Sequence, residues 1–211
     1  TAGDKITHGL GVVPQFHITK RRSGTEDWLV YHHKNTAAPE TDHLLLNTTD
    51  ATSDSDTRFN DTAPTSTLIT YGTNAVCNGD DSTYVNYAFA AVQGFSKFGS
   101  YTGNGNVNGS FNYTGFKPAW VMIKNTAEGA SWHIWDNIRE DYDGNPNNKA
   151  IRSDNTGAES NSTDYTIDFL SNGFKVRNAS DLDNKSGQTK IYMAFAHQPF
   201  VTSGGVPCTA R

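Results

Sequence analysis

No apolar run in this 211-residue chain approaches the ~20 residues that a membrane-spanning helix needs. The longest candidate, Tyr84–Val92 (YVNYAFAAV), is strand-sized. Cysteine is scarce. Cys77 and Cys208 stand far apart without CxxC spacing, which excludes a disulfide scaffold and a zinc-finger frame. They read equally well as two free thiols or one bridge. Positive charge is in deficit, with 17 Lys and Arg against 22 Asp and Glu, so no basic surface for a nucleic-acid backbone is implied. Strong helix formers are outnumbered by Gly, Asn, Ser and Thr, and no segment holds a helical period over three turns. A helical bundle is excluded. Aromatic residues, at 11%, are plentiful instead, and a core built from Phe, Tyr and Trp follows.

The chain contains one unit twice. VVPQFHITKRRSGTEDWLVYH (12–32) aligns without a gap with FKPAWVMIKNTAEGASWHIWD (116–136). Pro14, Phe16, Ile18, Lys20, Trp28 and Tyr31 match Pro118, Trp120, Met122, Lys124, Trp132 and Trp135. A second block, NYAFAAVQGF (86–95), resembles YMAFAHQPF (192–200). The Gly/Asn-rich stretch 98–115 reads as a linker. Two units are expected, 1–97 and 98–211, with the possibility that both share one larger sandwich. Tyr101–Gly105 opens the second unit, and an equivalent of it is expected upstream of Thr1. The chain starts with Thr, not Met, and shows no signal peptide, so it reads as processed or as part of something longer.

Short alternating runs bounded by turn residues predict strands at 15–20, 27–32, 43–47, 67–71, 131–136, 165–170, 174–177 and 191–196. The fold class expected is all-β, as tandem β-sandwich or jelly-roll-like units. Trp28 shares a face with Val30, and Trp132 with Ile134, so both tryptophans are assigned to the core, along with Phe89 and Phe195 between their alanines. Tyr31 and Trp135 fall on the other face and are the candidate ligand-binding residues, with flat rings suited to sugars.

Histidines are scattered without HxH or HxxxH spacing and read as surface or loop residues. Acidic turns offer more. Asp141, Asp143 and Asn145 in DYDGN are a candidate calcium set, because an Asp-x-Asp-Gly-Asn turn supplies several oxygens, although no EF-hand Glu follows. No other cofactor is implied. Asp50–Asp61 and Glu140–Asn148 are expected to be exposed loops where partners bind. No nucleophile motif, phosphate loop or carboxylate pair in an apolar setting occurs, so no catalytic residue is assigned and a non-enzyme is expected. The competing reading is a free carbohydrate-binding module or a glycan-cleaving enzyme, motivated by the aromatics and the scattered glutamates.

The segments GFSKFGSYTGNG (94–105), YTGFKPAWVMIKNT (113–126), IDFLSNGFKVR (167–177) and YMAFAHQPFVTSGGVPCTAR (192–211) resemble a repeated β domain of tailed-phage structural proteins, frequent in phages of marine bacteria and cyanobacteria. The closing GVP-x-TAR matches the end typical of that family, with Cys208 where a small residue is usual. The resemblance implies a tail-fibre, tail or capsid-surface module on the virion, self-associating (trimers are common among fibres) and contacting other virion proteins. Adhesion to host surface glycans is part of that expectation. The family transfers no catalytic residues.

Overall fold

The computed structural model describes residues 1–139 and 144–197. The protein is all-β, and the chain divides into two compact units, Thr1–Ala90 and Ala91–Arg211. The division falls a few residues before the 97/98 boundary inferred from the repeat. Stretch 98–115 is therefore no linker. It carries most of one strand of the second unit and all of another.

In the first unit the strands are β1 (Asp4–Thr7), β2 (Phe16–Arg21), β3 (Trp28–His32), β4 (Asp42–Leu45), β5 (Ser53–Asp54), β6 (Leu68–Tyr71) and β7 (Tyr84–Phe89). Two single-turn helices interrupt them, α1 (Asp56–Phe59) and α2 (Ala75–Asn78). A five-stranded antiparallel sheet runs β5-β4-β3-β2-β7, and β1 pairs with β6 in a second, small sheet. The region 50–61, expected as a loop, contains β5 and α1. Asp50, Asp54, Asp56 and Asp61 are exposed, but Phe59 is driven into the core.

The second unit holds β8 (Ser96–Thr102), β9 (Phe111–Tyr113), β10 (Pro118–Asn125), β11 (His133–Asp136), β12 (Lys149–Arg152), β13 (Ser160–Asn161), β14 (Ile167–Leu170), β15 (Gly173–Val176), α3 (Asp181–Asn184) and β16 (Thr189–Ala196). Its large sheet runs β13-β12-β11-β10-β16-β8, and its small sheet β14-β15-β9. The first five strands of that order correspond one to one with β5-β4-β3-β2-β7. Registers agree as well. Phe16 faces Phe89 and Ile18 faces Tyr87; Trp120 faces Phe195 and Met122 faces Met193. Tyr31 lies opposite His17, and Trp135 opposite Val121. The duplication read from six aligned pairs is thus a duplication of sheet order and pairing.

Local chemistry is duplicated too. The backbone N–H of Trp28 donates to Asn47 Oδ1 at 2.9 Å, and that of Trp132 to Asp154 Oδ1 at 3.0 Å. Asn78 at the end of α2 sends its amide to Thr1 O and Gly72 O. Asn184 at the end of α3 sends its own to Asn106 O and Asn178 O. Helices α2 and α3 are each capped by a short polar side chain, Asn74 accepting from Val76 N–H and Ser180 from Leu182 N–H.

Each unit closes its own core. Leu29, Tyr31, Phe59, Ile69, Tyr71, Val76 and Cys77 pack together in the first. In the second, Tyr101, Phe116, Val121, Ile123, Trp135, Phe169, Phe174 and Tyr192 are the chief members. The described helices are single turns, and none is long and apolar enough to cross a membrane.

Candidate functional site

The two rings assigned to ligand binding lie in these cores. Tyr31 is 4% exposed; it stacks on His17 with centroids 5.0 Å apart and meets Phe59 edge-on at 5.6 Å. Burial pushes its hydroxyl up to about 12. Trp135 is fully buried, and its indole N–H donates to Tyr165 O at 2.8 Å. Neither offers a face to a sugar. They lie on the strand face that meets the small sheet, so they are the central core rings rather than the outward ones. Of the four rings placed in the core from sequence, Trp132 is buried, while Trp28, Phe89 and Phe195 are half-buried.

Of the candidate calcium donors, Asp141 and Asp143 lie outside the described residues. Asn145 is engaged with backbone: its amide donates to Phe169 O at 2.8 Å and its Oδ1 accepts from Phe169 N–H at 2.9 Å. That ladder-like pair extends the edge of β14 and occupies the oxygen a cation would need. Nearby acidic groups are paired, Arg139 bonding both Asp136 (2.5 Å) and Glu159 (2.9 Å). No group of three His, Cys, Asp or Glu placed to hold a metal occurs among the described residues.

Histidines read as surface groups are mostly internal: His17, His32, His43 and His133 are all buried. Burial lowers His17 to about 3 and His43 to about 4. Cys77 is a free, buried thiol that donates to Arg58 O at 3.3 Å, and burial raises it to about 12. Cys208 lies outside the described residues.

The second unit carries a buried polar set that the motif reading passes over. His133 on β11 (0% exposed) has Nδ1 2.8 Å from Asp183 Oδ1 on α3 (1% exposed). Arg152 Nε donates to His133 Nε2 at 3.3 Å, so Nδ1 carries the proton and donates to the carboxylate. The Tyr165 ring covers the imidazole at 4.4 Å, and Arg152 lies over that ring at 5.1 Å. Asp183 Oδ2 has no partner among the described residues. Lys190, fully buried, donates to Gln188 Oε1 at 3.2 Å. Burial lowers its ammonium to about 8, against the opposing pull of Asp183, Glu128 and Asp181.

The repeat contains the signal that locates this set. His133 stands where the first unit has Leu29, and Asp183 where it has Cys77, two residues of one apolar core. The His–Asp pair is sealed from solvent, and no Ser, Thr or Cys hydroxyl or thiol is bonded to the imidazole among the described contacts.

One surface cleft, of about 650 Å³, opens at the end of the second unit, between the β8–β9 connection, the 3-10 turn Thr163–Tyr165 and the β15–α3 connection. Asp164, Arg177 and Asn108 present exposed polar groups beside Val107 and Pro146. Its floor is fixed: Asn178, 1% exposed, donates to Thr166 O and accepts from Ser180 N–H. The cleft offers donors and acceptors of both signs, with no His or Cys among its lining residues.

A family model described as a domain of unknown function, DUF7483, matches residues 1–199. The chain belongs to this family. The DUF7483 match runs through both repeats. No curated protein and no solved structure matches the chain.

Proposed function

We propose that the chain is a non-enzymatic structural module of a tailed-phage particle, a tail-fibre, tail or capsid-surface piece displayed on the virion and associated with other virion proteins and with itself. The observation that carries this reading is the duplicated sandwich, two copies with one strand order and one register. Repetition of a rigid β unit builds extended, multivalent surfaces, with loops free to vary over a fixed frame. The phage-like motifs at 94–105, 113–126 and 167–177 fall on β8, β10, β14 and β15 and their flanks, elements that build the frame. The groups with large shifts, His17, Tyr71 and Cys77 among them, lie inside a core, which supports a scaffold over a catalyst.

The adhesive part of the reading rests on the cleft of the second unit. Host surface glycan is its ligand class, since Asp164, Arg177 and Asn108 can each bond hydroxyls, and weak single sites gain avidity across many copies. Mass spectrometry and immunogold labelling of purified particles test the main proposal. Recovery of the chain with particles through a density gradient is expected; recovery from infected-cell cytosol alone would overturn it. Glycan arrays tested with the parent chain and with Arg177→Ala address adhesion separately, and release of oligosaccharide from the array would favour a glycan-cleaving enzyme.

A further inference from the structure

In the second unit, β16 is an inner strand. On one side it pairs with β10, and on the other with β8 in seven consecutive antiparallel pairs from Ser96–Phe195 to Thr102–Thr189. In the first unit the equivalent strand, β7, pairs with β2 alone among the described residues. We propose that the outer edge of β7 is a strand-acceptor site, completed by an extended polypeptide segment of the β8 kind that docks antiparallel and supplies the sixth strand of the first sheet.

The polarity of the edge follows from the ladder. Thr83 O accepts from Arg22 N–H and Phe89 O from Gln15 N–H, so the odd-numbered residues of this strand turn their peptide groups toward β2. Tyr84, Asn86 and Ala88 turn theirs outward. Their equivalents Lys190, Tyr192 and Ala194 are the residues that face Tyr101, Gly99 and Lys97 of β8. Exposure differs between the two edges. Tyr87 is 49% exposed, while Met193 at the same register is 5% exposed.

Two further observations point to an occupant. A solvated edge is normally guarded by charge, proline or a bulge. The β7 sequence YVNYAF has no charged residue and no proline, and its register with β2 runs unbroken from Tyr84 to Phe89. Beside it, Ile6, Thr7 and His8 form the far wall of a trough of about 380 Å³ against Asn86, Tyr87 and Ala88, space for the side chains of an added strand. Ile6 is 37% exposed. The repeat specifies the chemistry of the guest. In β8, Phe98 lies opposite Met193, and Gly99 leaves room for the Tyr192 ring, whose hydroxyl would sit 2.5 Å from a Cβ there. The first unit has the small Asn86 in place of Tyr192, with its amide turned to Thr19 and Tyr71, so the guest needs an aromatic or aliphatic residue opposite Tyr87 and tolerates a larger one opposite Asn86. Main-chain bonds supply the affinity and alternate side chains the selectivity.

The probe is a labelled synthetic peptide of residues 95–103, FSKFGSYTG, titrated with the full chain by fluorescence anisotropy, with amide hydrogen exchange read at Asn86 and Ala88. Saturable binding with at least tenfold slower exchange at these two amides is expected. Ala88→Pro deletes one outward N–H while leaving the β2 ladder intact, and should keep the parent circular dichroism and melting curve but weaken the peptide at least tenfold. The proposal is overturned by unsaturable binding, or by equal binding to Ala88→Pro, which would place the peptide elsewhere, for instance in exchange with β8. It is also overturned if Asn86 and Ala88 become protected with rising protein concentration and no peptide, since the occupant would then be a second copy of β7.

Discussion

Replacing the His133–Asp183 pair by its counterpart from the first unit, leucine and cysteine, gives a stringent test of how the second core is held together. Each single change strands a buried partner. Asp183→Cys leaves the His133 Nδ1 proton without an acceptor and takes the nearest buried carboxylate from Lys190. His133→Leu strips the only hydrogen bond from Oδ1 of a carboxylate whose Oδ2 already lacks a partner among the described residues. Removing one member of a buried, bonded pair costs about 3–5 kcal/mol, while exchanging both for apolar groups of similar volume is often neutral or better. His133→Leu/Asp183→Cys should therefore cost several kcal/mol less than the sum of the two single changes, its residual cost being the carboxylate withdrawn from Lys190. Arg152 is half-buried and can turn its freed Nε–H to water, and the Tyr101 hydroxyl bonds the Asp183 carbonyl, which survives the change. Urea unfolding followed by tryptophan fluorescence suits the question, because Trp120, Trp132 and Trp135 all lie in the second unit and only Trp28 in the first. Single variants that cost less than about 1 kcal/mol, or a double variant that costs the sum of the two, would refute the reasoning.

Acid should loosen the first unit. His17 and His43 sit at about 3 and about 4 in the folded chain against an ordinary 6.5, so the unfolded chain binds more protons below pH 6.5. Stability falls as pH drops from 6.5 toward 4, by about 1.4 kcal/mol per pH unit for each histidine; His17→Phe should halve that slope in urea titrations at pH 4–6.5. Lys190, lowered to about 8 from 10.5, acts in the same sense at alkaline pH: the folded chain loses its proton first, and this group adds stability as pH climbs from about 8 to 10.5, a rise that Lys190→Met should lack. Trp132→Ala should cost about 3–5 kcal/mol and Trp28→Ala, at a position only partly buried, less, measured by the same unfolding curves. Gly103→Ala would put a Cβ 2.3 Å from Lys185 O, a backbone atom that cannot step aside cheaply, and a loss of about 2 kcal/mol or more in calorimetry is expected.

Much of the frame was legible in the residues. Constant spacing between Phe16, Lys20, Trp28 and Tyr31 and their partners a fixed distance on located β2, β3, β10 and β11, and the AFA blocks located β7 and β16. The choice of face was not legible, and the reason is physical. Alternation says that Trp28 and Val30 oppose Leu29 and Tyr31, but it identifies the core side only when the other side is polar. Here Leu29 and Val30 are both fully buried, as are Phe16 and His17 on β2 to within 1%. The inner face of the first unit also looks polar in sequence, because its core contains a hydrogen-bonded cluster. The Thr19 and Tyr71 hydroxyls meet at 2.6 Å, and the Asn86 amide donates to both, at 2.8 and 2.7 Å. Polar residues satisfied by one another can be buried at little cost, so the polar-outward rule points the wrong way on β2 and sends Tyr31, and with it Trp135, to the surface.

The repeat itself separates frame from specialisation more sharply than hydropathy does. Positions that keep their chemistry in both copies serve the frame: Lys20 and Lys124, whose ammonium groups donate to main-chain carbonyls near the ends of β2 and β10, and Asn78 and Asn184, which tie each short helix to main-chain carbonyls around it. Positions that change class distinguish the copies. Leu29 against His133 and Cys77 against Asp183 mark the polar pair in the core of the second unit, and Asn86 against Tyr192 marks the strand edge that is paired in one unit and, among the described residues, unpaired in the other. A catalytic motif search finds none of these, since each is defined by a difference between two halves of one chain. The same comparison explains why the β7 edge matters more than any exposed aromatic: solvent-facing rings are common on protein surfaces, whereas an uncharged strand edge whose twin is already paired points to a strand partner.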